Sequence, residues 1–114
     1  MATSFVVNWT VGTNEDLRET FWWRDSAGTG INITGATMAL SAVNDNGDEV
    51  MEASTTDGRI TLTVPATGYF RILIPQSVIG ALALGVYRYD LLMTLSGEKT
   101  RFMYGTIAVV KGFA

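Results

Sequence analysis

The sequence predicts an all-β protein: an immunoglobulin-like antiparallel β-sandwich of roughly seven to eight strands, with one short helical turn near residues 75–83. Three observations carry this. Apolar and polar residues alternate with period two in run after run, so one face of each run can enter a core. Turn-forming pairs separate the runs at intervals of about 8–12 residues. Large aromatic residues (Trp9, Phe21, Trp22, Trp23, Phe70 and Tyr104) are spread along the chain and supply bulk for a core between two sheets.

The elements follow in order. Phe5, Val7, Trp9 and Val11 alternate with polar Asn8 and Thr10 in a first strand. A second spans residues 17–24 and contains Phe21-Trp22-Trp23, of which the outer two enter the core while Trp22 points away. The stretch "DSAGTG" (25–30) is a turn, and residues 36–43 form a third strand. "NDNGDE" (44–49) then reads as a hairpin, its Asn46-Gly47 pair predicting a type I′ turn with positive φ at both residues. Asp57-Gly58 makes another tight turn before Ile60, Leu62 and Val64, which share one face. Phe70, Ile72 and Ile74 make the next inward row. Pro75 then opens a short helical segment with Val78, Ile79 and Leu82 at near-helical spacing, crossing from one sheet to the other. "GVYRYDLLMTL" (85–95) and residues 99–110, joined by Ser96-Gly97, form the last two strands.

Composition bounds the function. The chain has 114 residues, the size of one domain, 1–114, with no repeat or linker. Hydrophobic residues make up 47% and charged ones 17%, so the chain can build a core without disulfides, and it has no cysteine to form them. It has no histidine, which removes the commonest general base and metal ligand. A net charge of −3 argues against nucleic acid as a partner. The longest apolar run, residues 78–86, is too short to span a bilayer, and the N-terminus lacks signal-peptide features, so no membrane partner is expected. The two sequons at Asn8 and Asn32 are then chance matches.

No catalytic, cofactor-binding or metal-binding residues are assigned. Lys99 and Lys111 are the only lysines, and neither stands in a Ser-Lys motif. The carboxylates cluster at turns and strand ends, where solvated charge is the ordinary arrangement. "NDNGDE" fails the calcium-loop pattern, because Gly47 falls at position three of a loop that begins at Asp45. The candidates are structural and interfacial instead. Gly85 and Tyr87 suit a tyrosine corner, with the Leu82/Leu84 region beneath the ring, and Asp57 and Gly58 shape a turn. Trp22, Arg88, Asp90 and Phe113 are interface candidates. Trp22 is an exposed aromatic anchor, Arg88 and Asp90 share an outer face, and Phe113 sits at a chain end with few neighbours to bury it. For Asp90 a cross-strand partner among Arg59, Arg71 and Arg101 is equally open.

Four pieces, in order along most of the chain, resemble a family of small bacteriophage virion proteins similar to the N-terminal domain of phage baseplate upper proteins. These are "FWWRDSAGTGINITGAT" (21–37), "TTDGRITLTV" (55–64) with its Asp-Gly-Arg-Ile, "GYFRILIP" (68–75) and "LALGVYRYDLLMTLSGEKTRFMYGTIAV" (82–109). Where that family often carries Arg-Gly-Asp-Thr before the second strand, this chain has "TNEDLRET" (13–20). The resemblance implies a β-sandwich without catalysis or cofactor, in a virion assembled in the bacterial cytoplasm. It would sit in the tail, neck or baseplate as an attachment module for fibres or appendages, contacting other virion proteins and forming a homo-oligomer. A capsid decoration protein clamping shell subunits is the alternative. A carbohydrate-binding module, with Trp22 or Tyr69 on a groove, is the third.

Overall fold

Two β-sheets lie face to face in the computed structural model, which describes residues 5–113. In chain order the strands are β1 (Phe5–Val6), β2 (Trp9–Gly12), β3 (Leu17–Trp22), β4 (Thr37–Val43), β5 (Glu49–Ser54), β6 (Ile60–Val64), β7 (Tyr69–Ile74), β8 (Gly85–Leu95) and β9 (Glu98–Val110). A helical turn α1 (Gln76–Ile79) lies between β7 and β8, and a 3-10 turn (Pro65–Thr67) precedes β7. The larger sheet runs β1-β9-β8-β4-β5, with β2 also on β9, and the smaller runs β3-β7-β6. This is the immunoglobulin-like partition, in which the chain changes sheet repeatedly and no sheet is built from consecutive hairpins alone.

The inner faces follow from the alternation. In β7, Phe70, Ile72 and Ile74 are fully buried, and they face Tyr87, Tyr89 and Leu91 of β8 across the core. Ile79, the one buried residue of α1, closes the crossover between the sheets. Gln76 ties that crossover down: its backbone N–H donates to Asp16 Oδ1 at 2.7 Å and its side chain donates to the Thr13 carbonyl at 2.7 Å.

Several details depart from expectation. The first strand is parallel to β9, so the larger sheet is mixed. It is also interrupted: β1 and β2 share one register on β9, but at Asn8 the side chain takes the Thr106 N–H at 3.0 Å in place of a backbone carbonyl. The strand count rises to nine with this break. The Asn46-Gly47 turn is not type I′. Gly47 has φ 83°, but Ser96 is the only non-glycine with positive φ among the described residues. Asn44 explains this. Its Oδ1 accepts the N–H groups of both Asn46 and Asp48, and its carbonyl accepts Gly47 N–H, so Asn46 is held at negative φ and a bulge forms at Ala42/Val43. The true type I′ geometry sits at Ser96 (φ 54°) and Gly97 (φ 79°), between the paired residues Leu95 and Glu98. A Ser96→Asn variant is therefore expected to gain about 0.5 kcal/mol in urea unfolding, because asparagine tolerates positive φ better than serine. An unchanged or lower midpoint would contradict the turn assignment.

A second bulge decides which aromatic of β9 is inside. Leu91 pairs with Met103 but Leu92 pairs with Arg101, so Phe102 is the extra residue and both Phe102 and Met103 are buried. Phe102 then meets Trp23 at 4.6 Å, Phe5 at 5.4 Å and Phe70 at 5.8 Å, each edge-on. Tyr104, expected in the core, turns to the outer face, where the Arg101 guanidinium lies 4.3 Å from its ring.

Candidate interaction surface

The corner at the start of β8 fixes one end of the sandwich. Tyr87 is buried, and its hydroxyl donates to the Ala83 carbonyl at 2.5 Å. Gly85 lies between them with φ 154°, a backbone angle that L side chains rarely adopt. Leu82 packs against the core, and Leu84 is exposed. Tyr87→Phe is expected to cost about 0.5–1.5 kcal/mol in thermal or urea unfolding, the contribution of one buried hydrogen bond. No loss would mean the bond contributes nothing.

Tyr89, two residues on, is a second anchor. Its ring stacks on Trp9 at 4.7 Å and its hydroxyl donates to the Val7 carbonyl at 2.6 Å. Burial pushes the Tyr89 phenol above its ordinary pKa, so it stays neutral as a donor. Asp57 and Gly58 form the β5–β6 turn: Asp57 Oδ1 accepts the N–H groups of Ser54 and Arg59, Ser54 Oγ accepts Asp57 N–H, and Gly58 sits at φ 82°.

Arg88 and Asp90 lie on the outer face of the larger sheet, as their alternation with Tyr87, Tyr89 and Leu91 requires. Asp90 pairs in register with Ser41 on one side and Tyr104 on the other. Together with Arg101 these residues line an open depression of about 310 Å³. The expected partners Arg59 and Arg71 do not stand beside Asp90: Arg71 is in the smaller sheet, and the Arg59 guanidinium donates to the Glu52 carbonyl at 2.8 Å.

Phe113 is 92% exposed, with the Lys111 ammonium 6.0 Å from its ring. At the same end of the molecule Leu84, Val86 and Val110 are also exposed. Val86 and Val110 alternate with buried Tyr87 and Val109, so both face outward. Val86 and Val110 were not among the interface candidates read from the sequence. The signal was present, since the parity that places Arg88 and Asp90 outside places Val86 there too.

Trp22 is 40% exposed and points outward from β3. Its ring is not a bare platform. Tyr69, its cross-strand partner, stacks on it at 5.2 Å and 5°, the Arg24 guanidinium lies over it at 4.3 Å, and its Nε1 donates to the Thr67 carbonyl at 2.8 Å. Gly30 permits that last bond, because a Cβ there would stand 2.0 Å from the Thr67 oxygen. Tyr69 and Arg24 thus occupy ring surface that a stacked sugar would need.

Among the described residues, no group of three or more histidine, cysteine or carboxylate side chains could hold a metal ion, and no helix is long and apolar enough to cross a membrane. No family model and no curated protein matches the chain. Two solved structures are similar to it. A family 123 glycoside hydrolase from Clostridium perfringens, described for glycolipid glycan hydrolysis, is similar at 16% identity and a TM-score of 0.52 over 95% of this chain. The present chain spans only 23% of that enzyme's length. CopC from Methylosinus trichosporium OB3b aligns over 94% of this chain and 89% of its own, at 14% identity and a TM-score of 0.44. At this level of identity the likeness to the glycoside hydrolase establishes the shared β-sandwich.

Proposed function

We propose that the chain is a non-enzymatic structural module of a bacteriophage virion, in the tail, neck or baseplate, where it joins a fibre or appendage to the particle. The observation that carries this is the outward apolar patch of Leu84, Val86, Val110 and Phe113 at one end of the larger sheet. Apolar side chains grouped on a sheet end are the ordinary mark of a surface covered in an assembly. The ordered motif resemblance supports the same reading. Its Asp57-Gly58-Arg59-Ile60 signature forms a hydrogen-bonded turn, and its Gly85-to-Asp90 ending begins the strand that carries the corner. Other virion proteins are the partners, and no cofactor takes part.

Quantitative mass spectrometry of purified particles from the virus that encodes the chain tests this. A handful of copies per particle supports tail, neck or baseplate. Hundreds of copies would transfer the chain to capsid decoration, and absence from the particle would overturn the reading. A glycan array with specific hits would move it to carbohydrate binding.

A further inference from the structure

The outer face of the smaller sheet is basic and aromatic, although the chain as a whole carries a net charge of −3. Along β3 the outward positions are Arg18, Thr20 and Trp22, and opposite them on β7 stand Leu73, Arg71 and Tyr69. With Arg24 over Trp22, this one face holds three of the six arginines. Glu19, in the same strand, is in register with buried Ile72 and belongs to the other side. Asp16 lies 3.9 Å from the Arg18 guanidinium and offsets part of its charge, while their exposure makes the pair contribute little to stability. Arg71 Nε is enclosed and has no hydrogen-bond acceptor.

The opposite charge stands elsewhere on the same chain. β5 is the end strand of the larger sheet, and it and its flanking turns carry Asp45, Asp48, Glu49, Glu52 and Asp57. Arg59, whose guanidinium donates to the Glu52 carbonyl at 2.8 Å, offsets one of these charges and leaves the edge acidic. The two charged surfaces lie on different sheets, so one molecule does not bring them together.

We infer that the basic, aromatic face of β3 and β7 receives the acidic β5 edge of a second copy of this chain. The inference deepens the assembly reading above, on which it rests for its biological purpose. Trp, Tyr and Arg are the side chains that dominate protein interfaces, and here they are already stacked and held by the Thr67 carbonyl. Because the two surfaces differ, the contact is head-to-tail. Repeated, it closes a ring or extends a filament.

Light scattering of the purified chain at 50 mM and 500 mM salt reads this directly. Concentration-dependent association is expected at low salt, weakened about tenfold or more at high salt, where the screening length falls to a few ångströms. An R18E/R24E variant and a D48K/E52K variant, all at exposed positions, should each be monomeric. Mixed with each other in equal amounts, they should form a one-to-one dimer, because each keeps the surface that the other has lost, and each is also mixed with wild type. Each should cap the wild-type assembly at one end and shorten it. Far-UV circular dichroism shows that both variants fold. A monomeric wild type at low salt, or association untouched by salt and by both variants, overturns the inference. Presence in particles would then still stand, because mass spectrometry reads location and scattering reads self-contact.

Discussion

Replacing Gly105 with alanine should destabilise the protein by about 2–4 kcal/mol, the sum of a steric displacement and a disturbed buried hydrogen bond. Gly105 sits where β9 passes the break between β1 and β2. A Cβ there would lie 2.2 Å from the Val7 carbonyl oxygen and 2.7 Å from Asn8 Oδ1. That carbonyl accepts the Tyr89 hydroxyl, and that amide oxygen accepts the Thr106 N–H. The backbone must therefore retreat from both anchors at once. At φ 154° the residue also lies where side chains are strained. Urea unfolding measures the loss, and hydrogen exchange locates it. Amides of β2 and its partners on β9 should lose protection well before those of β7. A loss under about 0.5 kcal/mol would show that the first strand shifts freely and that the Tyr89–Val7 bond does not hold it.

Phe70→Ala should cost about 3–5 kcal/mol, the range for removing a large aromatic from a closed core. Phe70 is fully buried in the central strand of the smaller sheet, stacked on Phe21 at 5.2 Å and met edge-on by Phe102 at 5.8 Å. Phe102 in turn carries Trp23 and Phe5, so the cavity would open beneath a four-way aromatic contact. Phe113→Ala is the contrast. An almost fully exposed ring has little packing to lose, so the change should stay within about 0.5 kcal/mol. Comparable losses for the two would mean that Phe113 packs in solution or that Phe70 does not.

The sandwich was legible because burial in a strand has period two. Phe70, Ile72, Ile74, Tyr87, Tyr89 and Leu91 declare their face by parity alone, and the helical turn declares itself by breaking it. Turn positions were legible from glycine, but turn types were not. The Asn46-Gly47 pair satisfies a type I′ rule on its own, yet the side chain of Asn44, two residues upstream, settles the geometry. Tyr104 and Phe102 show the same limit. One extra residue inverts parity, and a bulge leaves no mark in composition.

The candidate surface divides along the same line. That Trp22, Arg88, Asp90 and Val86 face outward follows from alternation, since a one-residue step moves a side chain to the other face. What stands beside them does not. Period two says nothing about which strand is the neighbour, so only the folded chain could put Tyr69 and Arg24 on Trp22, and Ser41 and Tyr104 beside Asp90. The parallel docking of the first strand on the last is of the same kind. It joins residues 98 positions apart through Asn8 and Thr106, a contact that no local pattern encodes. Local stereochemistry set the strands and their faces, and long-range packing set their order, their partners and the charge pattern of the surface.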